Sequence, residues 1–445
     1  MIKNARTAAL TALLHVDVNE GYSNIVIDKT LKEFQLDSRD SALASALFYG
    51  VLERRITLDY ILAQFSNTPI PQIAPKVLEI LRIGAYQILY MEKIPKSAAV
   101  NEAVNSAKDC GAVKANGFIN GVLRTLIRSQ EQIKMPDEEK SPMEYFSVLY
   151  SCPQWLITLW QNAYGMECAL GILKSLADKP PIFARVNTTK VSTRNLIEKL
   201  ANENVKASTI TWLPDAVMLE QTGSISQSRC FQDGLFHIQD LSSQLCCTLL
   251  NPQLEKRVID VCSAPGGKAF TMAEIMKNSG ELLAFDKYKG KVRLIRQGAE
   301  RLGLSVIQAN VRDAENPKDD LLPADYVLCD APCSGLGIIR RKPEIRYKSE
   351  SVLDTLPDLQ YLILCKSAEL VKAGGVLFYS TCTLNPMENT QVANRFLKEH
   401  EEFQSLPLSL PKSVSHAIEE EPNQLTLMPH VHGTDGFFMA AFRKK

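Results

Sequence analysis

Cys333, Cys382 and Asp330 lie in two short segments, Asp330-Ala331-Pro332-Cys333-Ser334-Gly335 and Ser380-Thr381-Cys382-Thr383-Leu384-Asn385-Pro386. Each segment directly follows an apolar run that reads as a buried strand. Ligand sites in open α/β sheets lie outside the carboxyl ends of the strands, so these turns should bring two thiols and a carboxylate together. A thiolate is suited to covalent catalysis, which splits one hard step into easier ones. Substitution at carbon 5 of a cytosine is a reaction that needs this. That carbon is a poor nucleophile until a thiolate adds at carbon 6. It then becomes enamine-like and can attack a sulfonium methyl, after which a base removes the carbon 5 proton and the thiolate leaves. Positive charge or backbone donors must favour the thiolate locally. Composition does not distinguish the two cysteines, so their roles stay open at this level. The plain alternative for a cysteine is a small buried hydrophobe, and Cys110, Cys168, Cys246, Cys247, Cys329 and Cys365 are read that way. Cys329 and Cys333 flank one turn, but no second Cys/His pair has ligand spacing, so no metal site is expected.

A second constellation lies upstream. Val258-Ile259-Asp260-Val261-Cys262 reads as a buried strand running into Ser263-Ala264-Pro265-Gly266-Gly267-Lys268 and then a helix. A glycine turn there lets backbone amides approach a nucleotide-like ligand. It matches neither GxGxxG nor a P-loop: Cys262 stands where the P-loop needs its first glycine, and Ala269 where it needs Ser or Thr. Asp286 follows Gly267 by 19 residues, the spacing at which a carboxylate accepts hydrogen bonds from ribose hydroxyls. Asp313, just past the next strand, is placed to contact an adenine. Either aspartate alone is as readily an exposed strand-end carboxylate; with the glycine loop beside them, nucleoside binding is the better reading.

The elements that position these residues alternate. Strands are expected at Arg257–Cys262, Glu281–Asp286, Val306–Asn310, Tyr326–Asp330, Gly375–Cys382 and Gly436–Phe442, with helices at 268–278, 290–302, 356–373 and 386–400. Continuous apolar strands alternating with helices predict a parallel sheet covered on both faces. Asn385, Pro386 and Glu388 supply an N-cap, a first-turn proline and a third-position acid for the last helix. Residues 6–128 carry apolar residues at three- and four-residue spacing, as in Ala42, Leu43, Ala46, Leu47 and Val51, which predicts a helical bundle. Residues 131–147 have linker composition, and 148–235 mix helical and extended patterns. The expected domains are therefore 1–130 all-helical, 131–147 linker, 148–235 small α+β, and 236–445 Rossmann-like.

With 445 residues, several domains are expected. Zero net charge leaves any nucleic-acid partner to local patches. There is no signal-peptide pattern and no long apolar run. Eleven scattered cysteines, an odd number, argue against a disulfide scaffold and for a reducing cytoplasm.

Taken together, the loop 262–268, Asp-Ala-Pro-Cys-Ser-Gly at 330–335 and Ser-Thr-Cys-Thr at 380–383 resemble the motifs of RNA (cytosine-5) methyltransferases, closely those of the bacterial RsmB/Sun branch acting on small-subunit ribosomal RNA. The resemblance covers essentially the whole chain. Phe231–Gly234, Gln239–Ser243 and Gly433–Phe438 resemble segments of the catalytic domain. Asn101–Val104 and Phe118–Arg124 resemble the NusB-like RNA-binding fold. Ser263 and Ala269 depart from the Ala and Thr expected around the loop. The resemblance implies S-adenosyl-L-methionine as cofactor, with Cys262, Ser263, Ala264, Pro265, Gly266, Gly267, Lys268, Asp286, Lys291, Asp313 and Asp330 as its contacts. It also implies Cys382 as nucleophile, Cys333 assisting release of the methylated RNA, and Asp330 orienting the base.

Arg340, Arg341, Lys342, Arg346 and Lys348 form a basic run after the Cys333 turn. The first four are expected to hold RNA phosphates and Tyr347 to stack on a base, with a solvated basic loop as the alternative. The substrate cytosine must be single-stranded or flipped. The expected partner is ribosomal RNA, with no membrane, no metal and a monomeric chain. The rival readings are the same chemistry on transfer RNA, a non-catalytic RNA-binding assembly factor, and a small-molecule methyltransferase. The intact cysteine pair and loop argue against the second; the helical region and basic run would lack a purpose in the third.

Overall fold

The computed structural model describes residues 3–19, 23–317 and 321–445. The chain folds as two units. The first holds the residues up to Asn162 together with Arg341–Lys348, the second Ala163–Arg340 with Ser349–Lys445.

The first unit is helical, as the apolar spacing predicts. Its centre is the helix Pro75–Tyr90, which buries residues on almost every side, from Val77 to Ile88. The charged groups it buries are matched: Arg82 pairs with Asp59 at 2.6 Å and with Glu79. The stretch expected as a linker is largely tied to this bundle. Gln64 exchanges two 3.0 Å hydrogen bonds with the backbone of Lys134. Pro142–Tyr150 is a helix, started by a proline whose missing N–H costs nothing there. It is held to the helix Arg55–Ala63 through Thr57 Oγ1, which donates to the Val148 carbonyl. The polar run 136–141 just before it disguises this helix, of which only Ser147 and Val148 are buried. The unit boundary falls at Asn162, inside the helix Gln154–Tyr164.

The second unit contains two sheets. The smaller is antiparallel, with strands β1 (Ile182–Val186), β2 (Lys206–Ile210), β3 (Leu213–Glu220) and β4 (Phe236–Ile238) in the order β2-β3-β1-β4. Helix Thr193–Asn202 follows β1; Ser192 caps it by accepting the Asn195 N–H. The larger sheet is built from β5 (Arg257–Asp260), β6 (Glu281–Asp286), β7 (Ile307–Val311), β8 (Ala324–Asp330), β9 (Val371–Thr381), β10 (Phe403–Ser405), β11 (Gln424–Leu427) and β12 (Phe437–Lys444). Its order is β10-β12-β9-β8-β5-β6-β7, with β11 on β12.

Only β5 to β9 are mutually parallel. β12 runs antiparallel to β9, β10 and β11, so the sheet is mixed, because the chain returns through a short connection at Pro429–Asp435 that reverses its direction. The last helix also differs from expectation. It begins at Thr390, and residues 386–389 form a turn: Asn385 accepts the Met387 N–H at 3.2 Å, but Glu388 turns its carboxylate to Ser334 and Gln360. Strand order changes direction at β5, which has β6 on one side and β8 on the other. At such a switch point the flanking loops lead away to opposite faces, which is where α/β sheets of this kind bind ligands.

Among the described residues no helix is long and apolar enough to cross a membrane, and no group of three or more His, Cys, Asp or Glu is placed to hold a metal.

Candidate active site

The loop after β5 is set by its backbone. Ser263 N–H donates to the Phe285 carbonyl at 2.7 Å, and Gly266 N–H to the Ser263 carbonyl at 2.8 Å. Gly266 has φ +112°, and a Cβ there would lie 2.4 Å from the Phe270 ring, so only glycine fits. Helix Gly267–Ile275 starts at the next residue, leaving amides at its N-terminus for a ligand. At the end of β6, Asp286 is buried, accepts the Tyr288 N–H at 3.0 Å and lies 3.7 Å from Lys291. Asp313 pairs with Lys287 at 2.9 Å, and that contact holds its carboxyl below the usual range.

Asp330 joins three strand ends. Its Oδ2 meets Lys268 Nζ at 2.7 Å, and its Oδ1 accepts the Ser380 hydroxyl at 2.7 Å. Burial works against the Lys268 charge, but Asp330 and the neighbouring thiols outweigh it and raise its pKa. Lys268 also lies 5.0 Å over the Phe437 ring. Beside this pair is a group the sequence reading passed over. Asp260 is fully buried, and neither carboxylate oxygen has a hydrogen-bond partner. Burial, then the charge of Asp330, pushes its pKa up to about 7. Its position at the end of the strand entering the glycine loop was the available signal.

β8 and β9 run in parallel register with Asp330 opposite Ser380, which puts the two cysteine turns side by side. Cys333 Sγ and Cys382 Sγ are 3.2 Å apart, and among the described residues no cysteines are joined in a disulfide. Gly337 N–H donates to the Cys382 carbonyl at 3.0 Å and Gly436 N–H to the Gly337 carbonyl at 2.9 Å. A Cβ on Gly337 would sit 1.9 Å from the Gly436 carbonyl oxygen, so the turns close only on glycine. Beneath them lie Ser334, Thr383, Glu388 and Asn389, all buried and none singled out from the sequence as a site residue. They are linked by hydrogen bonds such as Ser334 Oγ to Thr383 Oγ1 at 2.6 Å.

The basic run is dispersed. Arg346 is 1% exposed, and its Nη1 reaches the carbonyls of Ser151 at 3.1 Å, Tyr150 at 3.2 Å and Glu53 at 3.3 Å. Tyr347 donates its hydroxyl to the Leu52 carbonyl at 2.7 Å and lies under the Arg55 guanidinium, 5.1 Å from the ring centre. These two expected RNA contacts are corrected: both side chains tie their loop into the helical unit. Arg340 bonds the Thr434 carbonyl at 3.3 Å and lies 3.9 Å from Asp435. Arg341 and Lys342 are half-buried. Of the cysteines read as buried hydrophobes, Cys246, Cys247 and Cys329 are buried, whereas Cys110, Cys168 and Cys365 are partly exposed.

A mixed sheet with a glycine loop after its first parallel strand, carboxylates after the next strands, and a helical and a ferredoxin-like unit before it, defines a Rossmann-like methyltransferase. Residues 247–443 match the model of the 16S rRNA methyltransferase RsmB/F family, residues 3–128 the NusB family, and residues 152–226 the ferredoxin-like domain of RsmF/B-like methyltransferases. Among relatives, the probable ribosomal RNA small subunit methyltransferase B of Bacillus subtilis (strain 168) is 39% identical over 99% of both chains. That of Synechocystis is 35% identical over 99% of both. A methyltransferase homologue from Pyrococcus horikoshii superposes with a TM-score of 0.60 at 29% identity, over 68% of this chain and 99% of its own. The chain belongs to the RsmB/F family of methyltransferases.

Proposed function

We propose that this protein methylates carbon 5 of a cytosine in small-subunit ribosomal RNA, with S-adenosylmethionine as donor and Cys382 as nucleophile. The carrying observation is the contact of two thiols, 3.2 Å apart, at the ends of β8 and β9. A site for small-molecule transfer alone has no use for such a pair. The names of the Bacillus and Synechocystis relatives favour ribosomal over transfer RNA.

The residues present fit the donor. It supplies a methyl group on a cationic sulfonium and carries an ammonium, a ribose and an adenine. Asp260 offers a buried carboxylate with both oxygens unsatisfied, suited to a cationic group. Asp286 would accept from the ribose, Asp313 would serve the adenine side, and the loop from Cys262 to Lys268 would give close backbone approach, with Lys291 steadying Asp286. Asp330, oriented by Lys268 and Ser380, faces the same crevice and can accept from the cytosine amino group.

In the reaction the Cys382 thiolate would bond to carbon 6 of the base, the ring's electrons would move to carbon 5, and carbon 5 would take the methyl as the donor's carbon–sulfur bond breaks, its electron pair staying on a sulfur that leaves as a neutral thioether. A base then removes the carbon 5 proton, the electron pair of that C–H bond restores the ring, and the Cys382 sulfur leaves as thiolate. Cys333, touching that sulfur, assists the departure.

Denaturing gel electrophoresis with RNA and cofactor tests the assignment. Cys333→Ala should accumulate a slow-migrating protein–RNA adduct, and Cys382→Ala should give neither adduct nor methylation. The reverse pattern would make Cys333 the nucleophile. Bisulfite sequencing of total RNA from cells with and without the protein identifies the substrate; a lost transfer-RNA site would replace the ribosomal reading.

A further inference from the structure

A buried carboxylate sits under the two cysteine turns, and among the described residues it has no cation beside it. Glu388 is fully buried. Its Oε2 accepts the Ser334 N–H at 2.9 Å and a Gln360 Nε2 hydrogen at 2.7 Å; its Oε1 accepts the Ser334 hydroxyl at 2.5 Å and an Asn385 Nδ2 hydrogen at 3.0 Å. All four donors are neutral. They occupy the lone-pair positions of an ionised carboxylate, and a carboxylic acid or an amide would turn a hydrogen toward a donor. The pocket is built for a negative charge, kept out of water and tolerated because it is fully hydrogen-bonded.

The donors come from both cysteine turns. Ser334 adjoins Cys333, and Asn385 lies three residues past Cys382. The Ser334 hydroxyl, whose proton is given to Glu388, accepts in turn from Thr383 Oγ1 at 2.6 Å. Gln360 also donates to the Pro332 carbonyl at 2.9 Å, fixing the start of the Cys333 turn to helix Leu356–Glu369. The Tyr379 hydroxyl holds the Glu388 carbonyl at 2.6 Å.

The charged and titratable groups facing Cys333 are Cys382, Glu388, Asp330 and Tyr379, with Lys268 already committed to Asp330 and the Tyr379 hydroxyl donated to the Glu388 carbonyl. Each of the first three opposes a thiolate at Cys333. Its thiol is pushed well above the ordinary range, by the hydrogen bond to Cys382 first, then burial, then the charges of Cys382, Glu388 and Asp330.

We propose that Glu388 is a positioning residue of this centre: its carboxylate locks the Cys333 turn against the Cys382 turn and, when the pair gives one proton to solvent, keeps the remaining proton on Cys333. The inference rests on the reading of Cys382 as nucleophile, because it explains how one of two touching thiols becomes the thiolate. Cys382 then carries the charge that adds to carbon 6, and Cys333 keeps its S–H directed at that sulfur.

The test uses the full chain without RNA, iodoacetamide as probe, and mass spectrometry of the Cys333 and Cys382 peptides at early times across a pH series. In the parent, Cys382 should be alkylated at least ~10-fold faster than Cys333 near neutral pH, since only thiolate reacts. Glu388→Gln should cut that preference to about threefold or less, because it removes the neighbouring negative charge. Glu388→Asp keeps the charge and shortens the reach, so it should retain the preference while slowing methyl transfer. Equal or faster reaction of Cys333 in the parent overturns the proposal, as does an unchanged preference in folded Glu388→Gln. If Glu388→Gln does not fold, the parent and Glu388→Asp decide alone. Selective alkylation of Cys382 together with no RNA adduct in Cys333→Ala would sink the nucleophile reading and leave the Glu388 assignment standing.

Discussion

A carboxyl group held out of water beside another carboxylate resists ionisation, and Asp260, buried next to Asp330, is such a group. Its folded pKa of about 7 lies above the unfolded value of about 3.9. The folded state therefore holds a proton that the unfolded chain has lost. The stability this gives is fully present below pH ~4 and is lost as pH rises toward 7. The ligand-free protein should show a falling unfolding midpoint over that window, and Asp260→Asn should flatten it; equal slopes would remove Asp260 as the cause. A cationic ligand favours the ionised form, so S-adenosylmethionine binding near pH 7 should release a proton. Calorimetry in two buffers of different ionisation enthalpy reads this directly: release is expected for the parent and none through this group for Asp260→Asn. At Asp286 the expectation is simpler. Asp286→Ala should weaken cofactor binding by about 1.5–3 kcal/mol for each ribose hydrogen bond lost to the charged acceptor, and equal affinity would exclude it as the ribose ligand.

At the level of elements, the proposed reaction depends on two turns from neighbouring parallel strands closing on each other. The register of β8 and β9 brings the turns level, and Gly337 lets them meet. Gly337→Ala puts a methyl where the Gly436 carbonyl stands, so the turns must part. Because displacement of about 1 Å in reacting groups costs on the order of 100-fold, methyl transfer should fall by about that factor. Cofactor affinity should stay within about twofold, since the β5 loop is not involved. Retained activity would show that the turns need no such closure. The turn at 386–389 belongs to the same machinery. Its residues look like the start of a helix, but Glu388 spends its carboxylate on Ser334 and Gln360, and the helix begins only at Thr390.

At the scale of the molecule, eight residues from the middle of the catalytic sequence, Arg341–Lys348, belong to the helical unit. Arg346 holds them there through three backbone carbonyls. Arg346→Ala leaves those acceptors without their donor and should cost about 3 kcal/mol, read by chemical denaturation of the full chain. A loss below ~0.5 kcal/mol would mean that other contacts hold the segment. A related consequence concerns truncation. Removing residues 1–140 also removes the Leu52 and Glu53 carbonyls from Tyr347 and Arg346, so the remaining chain should be less soluble and unfold at lower denaturant concentration than the full protein. A truncated chain as stable as its parent would refute this.

The sequence alone determined the features that depend on local order. Apolar spacing gave the helices of the bundle, continuous apolar runs gave the five parallel strands, and residues placed directly after strand ends gave the glycine loop, Asp286, Asp330 and both cysteines. In each case position along the chain already dictates position in space. The tertiary structure decided what depends on partners far away in the chain. Asp260 reads as an interior strand residue until its neighbour across the crevice proves to be another carboxylate. Glu388 reads as a helix-start acid until its donors prove to be Ser334 and Gln360. Arg346 and Tyr347 look like solvent-facing RNA contacts until carbonyls some two hundred and three hundred residues away prove to hold them. A polar side chain's chemistry is set by what surrounds it, and for these four the deciding neighbours come from segments that only folding brings near.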